Sequence, residues 1–303
     1  MDGILPIYKP RGMTSTDVVS RLRRLLHMKR VGHSGTLDPN VDGVLPIALG
    51  VATKAVPMLM TAGKTYIGEI TFGFATTTED LDGDVVDEVA LDQPFTTAQI
   101  DAAFVQMTGE ITQIPPLFSA VKVNGRRLYD YARAGDPVER PKRQVTIYQF
   151  KRTSEPEFVD HRQTVRFEAQ VSKGTYIRTL AVDTGKVLGV PAVMSDLTRI
   201  QSGGFGIGQT ISLEQVEAAL ATNTLANYVQ PIEFAYPDVP HYHLSDSQWA
   251  DVQNGKFLRL QQTEPELALF YNQQLKAIYQ FQNGLYRPET MYLANLGPAN
   301  SDS

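Results

Sequence analysis

The chain has 303 residues, 42% of them hydrophobic and 20% charged, and it contains no cysteine. Disulfides, zinc–thiolate centres and thiol catalysis are thereby excluded, and no apolar run reaches the roughly 18–20 residues that a membrane span requires. A net charge of −5 argues globally against a nucleic-acid partner, but the charges are segregated along the chain, so a basic cleft on an acidic body remains open beside the plainer reading of solvated faces.

The opening Met1-Asp2-Gly3-Ile4-Leu5-Pro6 lacks the basic region and apolar core of a signal peptide, so a cytoplasmic protein is expected. Ile4 to Tyr8 reads as a short strand. Thr14 and Ser15 can cap a helix from about Asp17 to His27, with Val18, Val19, Leu22, Leu25 and Leu26 as its apolar stripe. From Lys9 to Arg30 seven bases stand against one acid, Asp17. The stretch Arg30 to Pro46 is too rich in glycine and proline for a regular element and reads as a structured loop entering a strand at Val44 to Leu49. Within it Pro39 biases Asp38 toward an extended backbone. A carboxylate on a stiff backbone between apolar neighbours suits catalysis; a turn aspartate capping its own backbone is the plain alternative. Asp42, followed by Gly43, reads as a turn residue.

Gly50 to Met60 has helical spacing with Pro57 inside it, and Thr65 to Phe74 alternates as a strand. Between Tyr66 and Val121 there are ten acids and no base. Thr76 to Asp92 within that span reads as irregular, and its Asp80-Leu81-Asp82-Gly83-Asp84 does not complete a calcium loop. Thr96 to Gln99 is a capping box opening a helix to about Thr108. From Lys122 to Arg152 nine bases face three acids. Lys122, Arg126, Arg127, Tyr129, Tyr131 and Arg133 interleave bases with aromatics, which suits phosphates and unstacked bases, or else a surface hairpin or helix. Val145 to Phe150 and Thr164 to Val171 read as strands, and Thr175 to Leu188 as a helix stopped by Gly189.

Ser212 opens a further short helix. Gly63-Lys64-Thr65 lacks the upstream glycine of a phosphate loop, and Gly204 to Gly208 does not join a strand to a helix as a dinucleotide fingerprint must. Pro231 to Pro240 reads as a linker. The pieces Phe257–Leu260, Leu267–Tyr271, Leu275–Phe281 and Met291–Leu293 read as strands of a small β-rich unit, followed by a polar tail.

Three segments carry a joint signature: Tyr8-Lys9-Pro10-Arg11-Gly12-Met13-Thr14-Ser15, Gly32-His33-Ser34-Gly35-Thr36-Leu37-Asp38-Pro39 with Gly43-Val44-Leu45-Pro46, and Ser172-Lys173-Gly174-Thr175-Tyr176-Ile177-Arg178-Thr179-Leu180. In order and spacing they closely resemble the TruB family of tRNA pseudouridine synthases, which isomerise uridine 55 of the T loop, and the resemblance covers almost the whole chain. It implies an α+β fold: a mixed, mostly antiparallel sheet flanked by helices and loops, with a small C-terminal domain similar to a PUA domain. The implied units are a catalytic domain 1–235 with a basic RNA-gripping insertion at about 118–143, a β-rich unit 240–296 and a tail 297–303.

The resemblance also implies roles. Asp38 matches the catalytic aspartate, Tyr66 the tyrosine stacked on the target uracil, and Arg178 the arginine paired with the aspartate. Tyr176 and Leu197 match pocket residues, His33 a histidine near the flipped nucleotide, and Lys9 and Pro10 supports of the catalytic loop. Lys122, Arg126, Arg127 and Arg133 lie in the RNA-gripping insertion. Val41-Asp42 departs from the small neutral pair common in relatives and adds a negative charge near the loop, and the C-terminal unit carries little positive charge. The reaction has no redox or phosphoryl-transfer step, so neither cofactor nor metal is expected. The expected partner is the T arm of tRNA, with no membrane, and the expected state is a monomer. An RNA-folding factor with incidental catalysis, or a pseudouridine synthase acting on another RNA, are the competing readings.

Overall fold

The computed structural model describes residues 1–293; the tail 297–303 and the end of the unit expected at 240–296 lie outside the described residues. The chain enters as β1 (Gly3–Lys9), buried almost throughout. Thr14 caps α1 (Ser15–Leu25): its hydroxyl accepts the Asp17 N–H at 3.0 Å while the Asp17 carboxylate accepts the Thr14 N–H at 2.9 Å. With Thr14 as the cap, the helix starts two residues earlier than its spacing suggested, and Ser15 is freed to point inward, where it is 1% exposed. Then come β2 (Val31–His33) and β3 (Asp42–Leu49), so the glycine-rich loop is shorter than expected.

The helical spacing after Leu49 resolves into a 3-10 segment, Gly50–Ala55, and α2 (Val56–Thr61). Pro57 lies in the first turn of α2, where its missing N–H leaves no bond unmade. β4 (Lys64–Phe72) ends at Gly73, whose φ is +115°. The acidic stretch expected to be irregular contains half of a hairpin, β5 (Phe74–Thr76) with β6 (Val85–Glu88). α3 (Thr97–Gln106) carries the expected capping box and leads into β7 (Gly109–Gln113). The basic insertion holds both a hairpin, β8 (Lys122–Val123) with β9 (Arg126–Arg127), and a helix, α4 (Leu128–Ala134). β10 (Arg143–Arg152), β11 (Glu157–Val159), β12 (Arg162–Val171), α5 (Ile177–Leu188), β13 (Ala192–Ser202), β14 (Phe205–Gly206) and α6 (Leu213–Ala221) complete this part.

Among the described residues one ten-stranded sheet runs β1-β3-β13-β4-β12-β10-β7, with β2 beside β3, β14 beside β13 and β11 beside β12. Every pairing in it is antiparallel except β3 with β13, which is parallel. This is the mixed, mostly antiparallel α+β sheet that the sequence led us to expect. One face packs on α3 and α5 through Phe72, Phe104, Phe167 and Leu180; another core packs α1 and α6 against β1 and β3. A second sheet, β15 (His241–His243), β16 (Glu266–Tyr271), β17 (Gln274–Gln282) and β18 (Leu285–Met291), carries α7 (Asp246–Val252). Its last strand precedes the expected Met291–Leu293, and Phe257–Leu260 contributes only an isolated bridge, Leu258 to Tyr286. Pro231 to Pro240 is packed rather than free: Ile232, Ala235, Tyr236 and Val239 are buried against Ala268, Phe270 and Ile278.

The parallel seam fixes the position of the Asp38 loop. Thr198 pairs with Asp42 and Arg199 with Gly43. Gly43 has φ +115°, and a Cβ built there would lie 2.2 Å from the Arg199 carbonyl oxygen. Asp42-Gly43 is therefore the start of a strand, not the turn that the dipeptide suggested, because only a residue without Cβ admits β13 at that distance. Gly43→Ala is expected to destabilise the fold by about 3 kcal/mol or more, from backbone strain and overpacking together; urea unfolding of the variant checks this, and a wild-type midpoint would contradict it.

Candidate active site

Asp38 is held through its neighbours on both sides. The Ser15 hydroxyl accepts the Leu37 N–H at 2.9 Å and reaches the Leu37 carbonyl at 3.3 Å. The Pro39 carbonyl accepts from the Lys9 ammonium at 3.0 Å and from the Gly12 N–H at 2.9 Å. Lys9 is fully buried and also donates to the Pro10 carbonyl at 2.8 Å. Burial is the largest influence on that ammonium and pushes its pKa down to about 8, with Asp42 and Asp38 pulling the other way. The Val41 N–H closes a turn on the Asp38 carbonyl at 3.1 Å. The first motif of the sequence thus grips the second through the Lys9 ammonium and the Gly12 N–H.

Arg178, in the first turn of α5, is 5% exposed and reaches the half-buried Asp38 side-on, Nε to Oδ2 at 3.0 Å and Nη2 to Oδ1 at 3.3 Å. A cation at a helix N-terminus opposes the dipole, so its place must be made by acceptors. The Thr78 carbonyl takes Nη1 at 2.8 Å, the Phe118 carbonyl takes Nη2 at 3.0 Å, and Asp80 lies 3.7 Å from Nε. Burial pushes the Asp38 carboxyl up from its ordinary pKa. Arg178 opposes that push most strongly, Asp80 and Asp82 add to it, and Lys9 opposes it. Without Arg178 this carboxylate would face two like charges in a desolvated place.

Asp38 and Arg178 open onto a cavity of about 300 Å³. Tyr66, Leu197 and Val41 form apolar walls, with Tyr176 and Ile177 from the start of α5. Tyr66 is 7% exposed and lies across β4 from Arg199 on β13 and Ala169 on β12. Burial raises the pKa of the Tyr176 phenol, and the Tyr176 backbone N–H donates to the Gln113 side-chain oxygen at 3.0 Å. The structure therefore brings together Asp38, Arg178, Tyr66, Tyr176 and Leu197. His33 does not line this cavity. Its Nδ1 accepts the Gly35 N–H at 3.3 Å, and burial lowers its pKa. Lys122, Arg126, Arg127 and Arg133 also stand away from the cavity, on the insertion. Arg127 and Arg133 flank the Tyr129 ring, and Arg126 lies over Tyr131 while paired with Asp136 at 2.5 Å.

Residues 23–177 match the family description "TruB family pseudouridylate synthase (N terminal domain)", more than half of the chain. The chain belongs to the TruB family. Residues 178–236 match a second description, "tRNA pseudouridylate synthase B C-terminal domain". A Lacticaseibacillus paracasei protein named tRNA pseudouridine synthase B is 60% identical over 297 residues, covering 97% of this chain and 99% of its own. A Latilactobacillus sakei protein of that name is 58% identical over 303 residues, covering 98% and 99%. Among solved structures, a Cbf5–Nop10–Gar1 complex matches with TM-score 0.72 and 26% identity over 96% of this chain and 85% of that one. An H/ACA RNP bound to a substrate RNA containing 2′-deoxyuridine matches at 0.69 with 25% identity over 96% and 85%.

Several contributors to this TruB-family site escaped the sequence reading. Arg199, 1% exposed, donates to the carbonyls of Val44 at 2.8 Å and Gly35 at 3.1 Å and so pins the turn before Asp38. Its strand, β13, was not recognised because Ser195 interrupts the alternation with a bulge. Asp42 is not a free extra charge near the loop. It accepts from the Tyr8 and Thr198 hydroxyls, each at 2.5 Å, and from Arg11 at 3.4 Å, and these bonds lower its pKa despite burial.

Proposed function

We propose that this TruB-family chain isomerises uridine 55 in the T loop of tRNA to pseudouridine, with Asp38, Tyr66 and Arg178 at the reacting centre. The observation that carries this reading is the side-on Asp38–Arg178 pair on the floor of a cavity walled by Tyr66 and Leu197. The reaction breaks the bond from N1 to C1′, turns the uracil and joins C5 to C1′; N1 gains a proton and C5 loses one, with no net oxidation. The base must leave its stack, which costs a few kcal/mol, and stacking on an aromatic face returns about 1–3 kcal/mol. Tyr66 supplies that face, and the apolar walls retain the detached uracil while it turns. Whether the Asp38 carboxylate attacks C1′, attacks C6 or takes the C2′ proton, it must be ionised, and Arg178 is the group that keeps it so.

On this reading the half-aromatic insertion grips the RNA backbone through Lys122, Arg126, Arg127 and Arg133, and His33 steadies the turn entering the site through Gly35. Residues 1–235 form the catalytic unit and 240–296 a PUA-like one, and the protein works as a cytoplasmic monomer without cofactor. Tritium release from a T-arm stem-loop carrying C5-labelled uridine, followed by modification mapping, tests the proposal. Absence of product, or product at a site outside the T loop, would overturn it.

Tyr66→Phe and Tyr66→Leu separate the ring from its hydroxyl. Phe is expected to bind within about twofold of wild type, and Leu about tenfold worse, from the loss of stacking. If the hydroxyl moves a proton, the single-turnover rate collapses in Phe as well. Wild-type rates in both variants would remove Tyr66 from the site.

A further inference from the structure

The cavity is also lined by cations that have no carboxylate partner, Lys64, Lys173 and Arg199. Lys64, the first residue of β4, is 9% exposed and lines the cavity. Its ammonium is only loosely met: the Met60 and Ala62 carbonyls are both 3.4 Å away. The charged groups around it are Arg199 and Lys173, both positive, and burial first, then these two, push its pKa down to about 8. Arg199 satisfies its guanidinium on backbone carbonyls, which leaves its charge uncompensated. The Lys64 and Arg199 side chains converge on Gly35: a Cβ there would lie 3.5 Å from Lys64 Cε and 3.7 Å from an Arg199 terminal nitrogen. Lys173 approaches from the turn after β12, whose Val171 pairs with Lys64.

A buried ammonium with no anion is costly, and cations packed together more so. A fold that keeps the buried Lys64 and Arg199 side by side at a substrate cavity, with the exposed Lys173 nearby, has a place prepared for an anion. The anions that enter with a flipped nucleotide are the phosphodiesters on its two sides. We infer that Lys64, backed by Arg199 and Lys173, binds a backbone phosphate flanking the target uridine and so fixes the depth at which the nucleotide seats over Asp38. Resting on the proposed reaction, this makes Lys64 a binding and positioning residue, and gives the cavity cations for the phosphate and an aspartate for the glycosidic bond. A single ammonium–phosphate contact in a desolvated place acts as a point-charge clamp. It holds any base equally, so selection of uracil is left to the walls.

The test is a coupling experiment on the full-length protein with T-arm stem-loops. One RNA is native, and two carry a neutral methylphosphonate, either 5′ or 3′ of the target uridine. Affinity and single-turnover tritium release are measured for wild type, Lys64→Met and Lys64→Arg. Met keeps the stem length without the charge, and thermal melting verifies its fold. One of the two methylphosphonates is expected to weaken wild-type binding about tenfold or more, the size of a lost charge-assisted hydrogen bond. The same substitution is expected to cost Lys64→Met nothing further, and Lys64→Arg is expected to recover most of the affinity for native RNA. Fully additive losses at both linkages, or native affinity in Lys64→Met, would overturn the inference. Native affinity with a collapsed rate would reassign Lys64 to proton transfer. The coupling is read from binding alone, so a wild-type protein that releases no tritium would fell the proposed reaction and leave the phosphate contact standing.

Discussion

Asp38→Asn is expected to give no detectable pseudouridine, a fall of about 10⁴-fold or more in single-turnover rate, while T-arm binding stays within about threefold of wild type. Removal of a reacting group from an assembled site costs on that scale. The variant should fold, because nothing that positions residue 38 depends on its carboxylate. Ser15 holds Leu37, and Lys9 and Gly12 hold the Pro39 carbonyl. Arg178 retains the Thr78 and Phe118 carbonyls and the nearby Asp80. Asn has the shape of Asp but neither its charge nor its basicity. Tritium release and binding, measured on the same preparation, check the result. Product from Asp38→Asn with intact binding would take the carboxylate out of the chemistry and bring the RNA-folding reading forward. Asp42→Asn serves as the control and should keep most of its activity, since of the Tyr8 and Thr198 hydroxyls, which donate to different carboxylate oxygens, one can still donate to the amide oxygen and the other can accept from the amide nitrogen.

Arg178→Met is expected to lower the rate by about 10–1,000-fold near neutral pH and to change its pH dependence. A neighbouring guanidinium lowers a carboxyl pKa by about 1–3 units. In the wild type Arg178 is the strongest influence opposing the upward push of burial, Asp80 and Asp82 on Asp38. With it gone, the carboxyl pKa rises further. Asp38 then stays protonated to higher pH, so activity that needs the carboxylate is lost as pH falls through the raised value and returns above it. The rate of the variant should climb with pH across a range where the wild type is already flat. A pH-independent loss would mean that Arg178 acts through geometry alone, by ordering the carbonyls of Thr78 and Phe118. Arg178→Lys keeps a charge but cannot make the side-on pair, and should fall between the two.

What could be read from the sequence was local. The Leu-Asp-Pro context left Asp38 open between a catalytic carboxylate and a turn aspartate, and only the family resemblance singled it out, whereas the capping boxes at Thr96 and Ser212 sit where their residues indicated. Illegible were features made by distant pairings. The carbonyls that cradle Arg178 come from Thr78 and Phe118, residues 100 and 60 positions away, and a carbonyl has no sequence signature. β13 hid behind its bulge, and β18 behind Arg287-Pro288-Glu289, tolerated because it is an edge strand. Gly63-Lys64-Thr65 was set aside as a broken phosphate loop on sound grounds, yet its lysine enters the cavity by a different route, the start of a strand. Asp42 misled because Asp-Gly is a turn signal, and only the close approach of Arg199 shows why glycine stands second.

The seam between β3 and β13 also bears on how the protein comes into being. Gly35 and Thr36 are tied to Arg199 across 164 and 163 positions, and Asp38 to Arg178 across 140. Contacts of such separation are the slow ones to close. A polypeptide emerging from the ribosome with fewer than 178 residues has Asp38 without its counter-ion, and one with fewer than 199 has the preceding turn without its anchor. The pocket thus joins a late strand to an early one, and the Asp38 loop is expected to be among the last parts to become rigid although it is among the first to be synthesised. Pulse-labelled hydrogen exchange during refolding should find the Gly35 and Val41 amides protected only after those of β4 and β12 have closed.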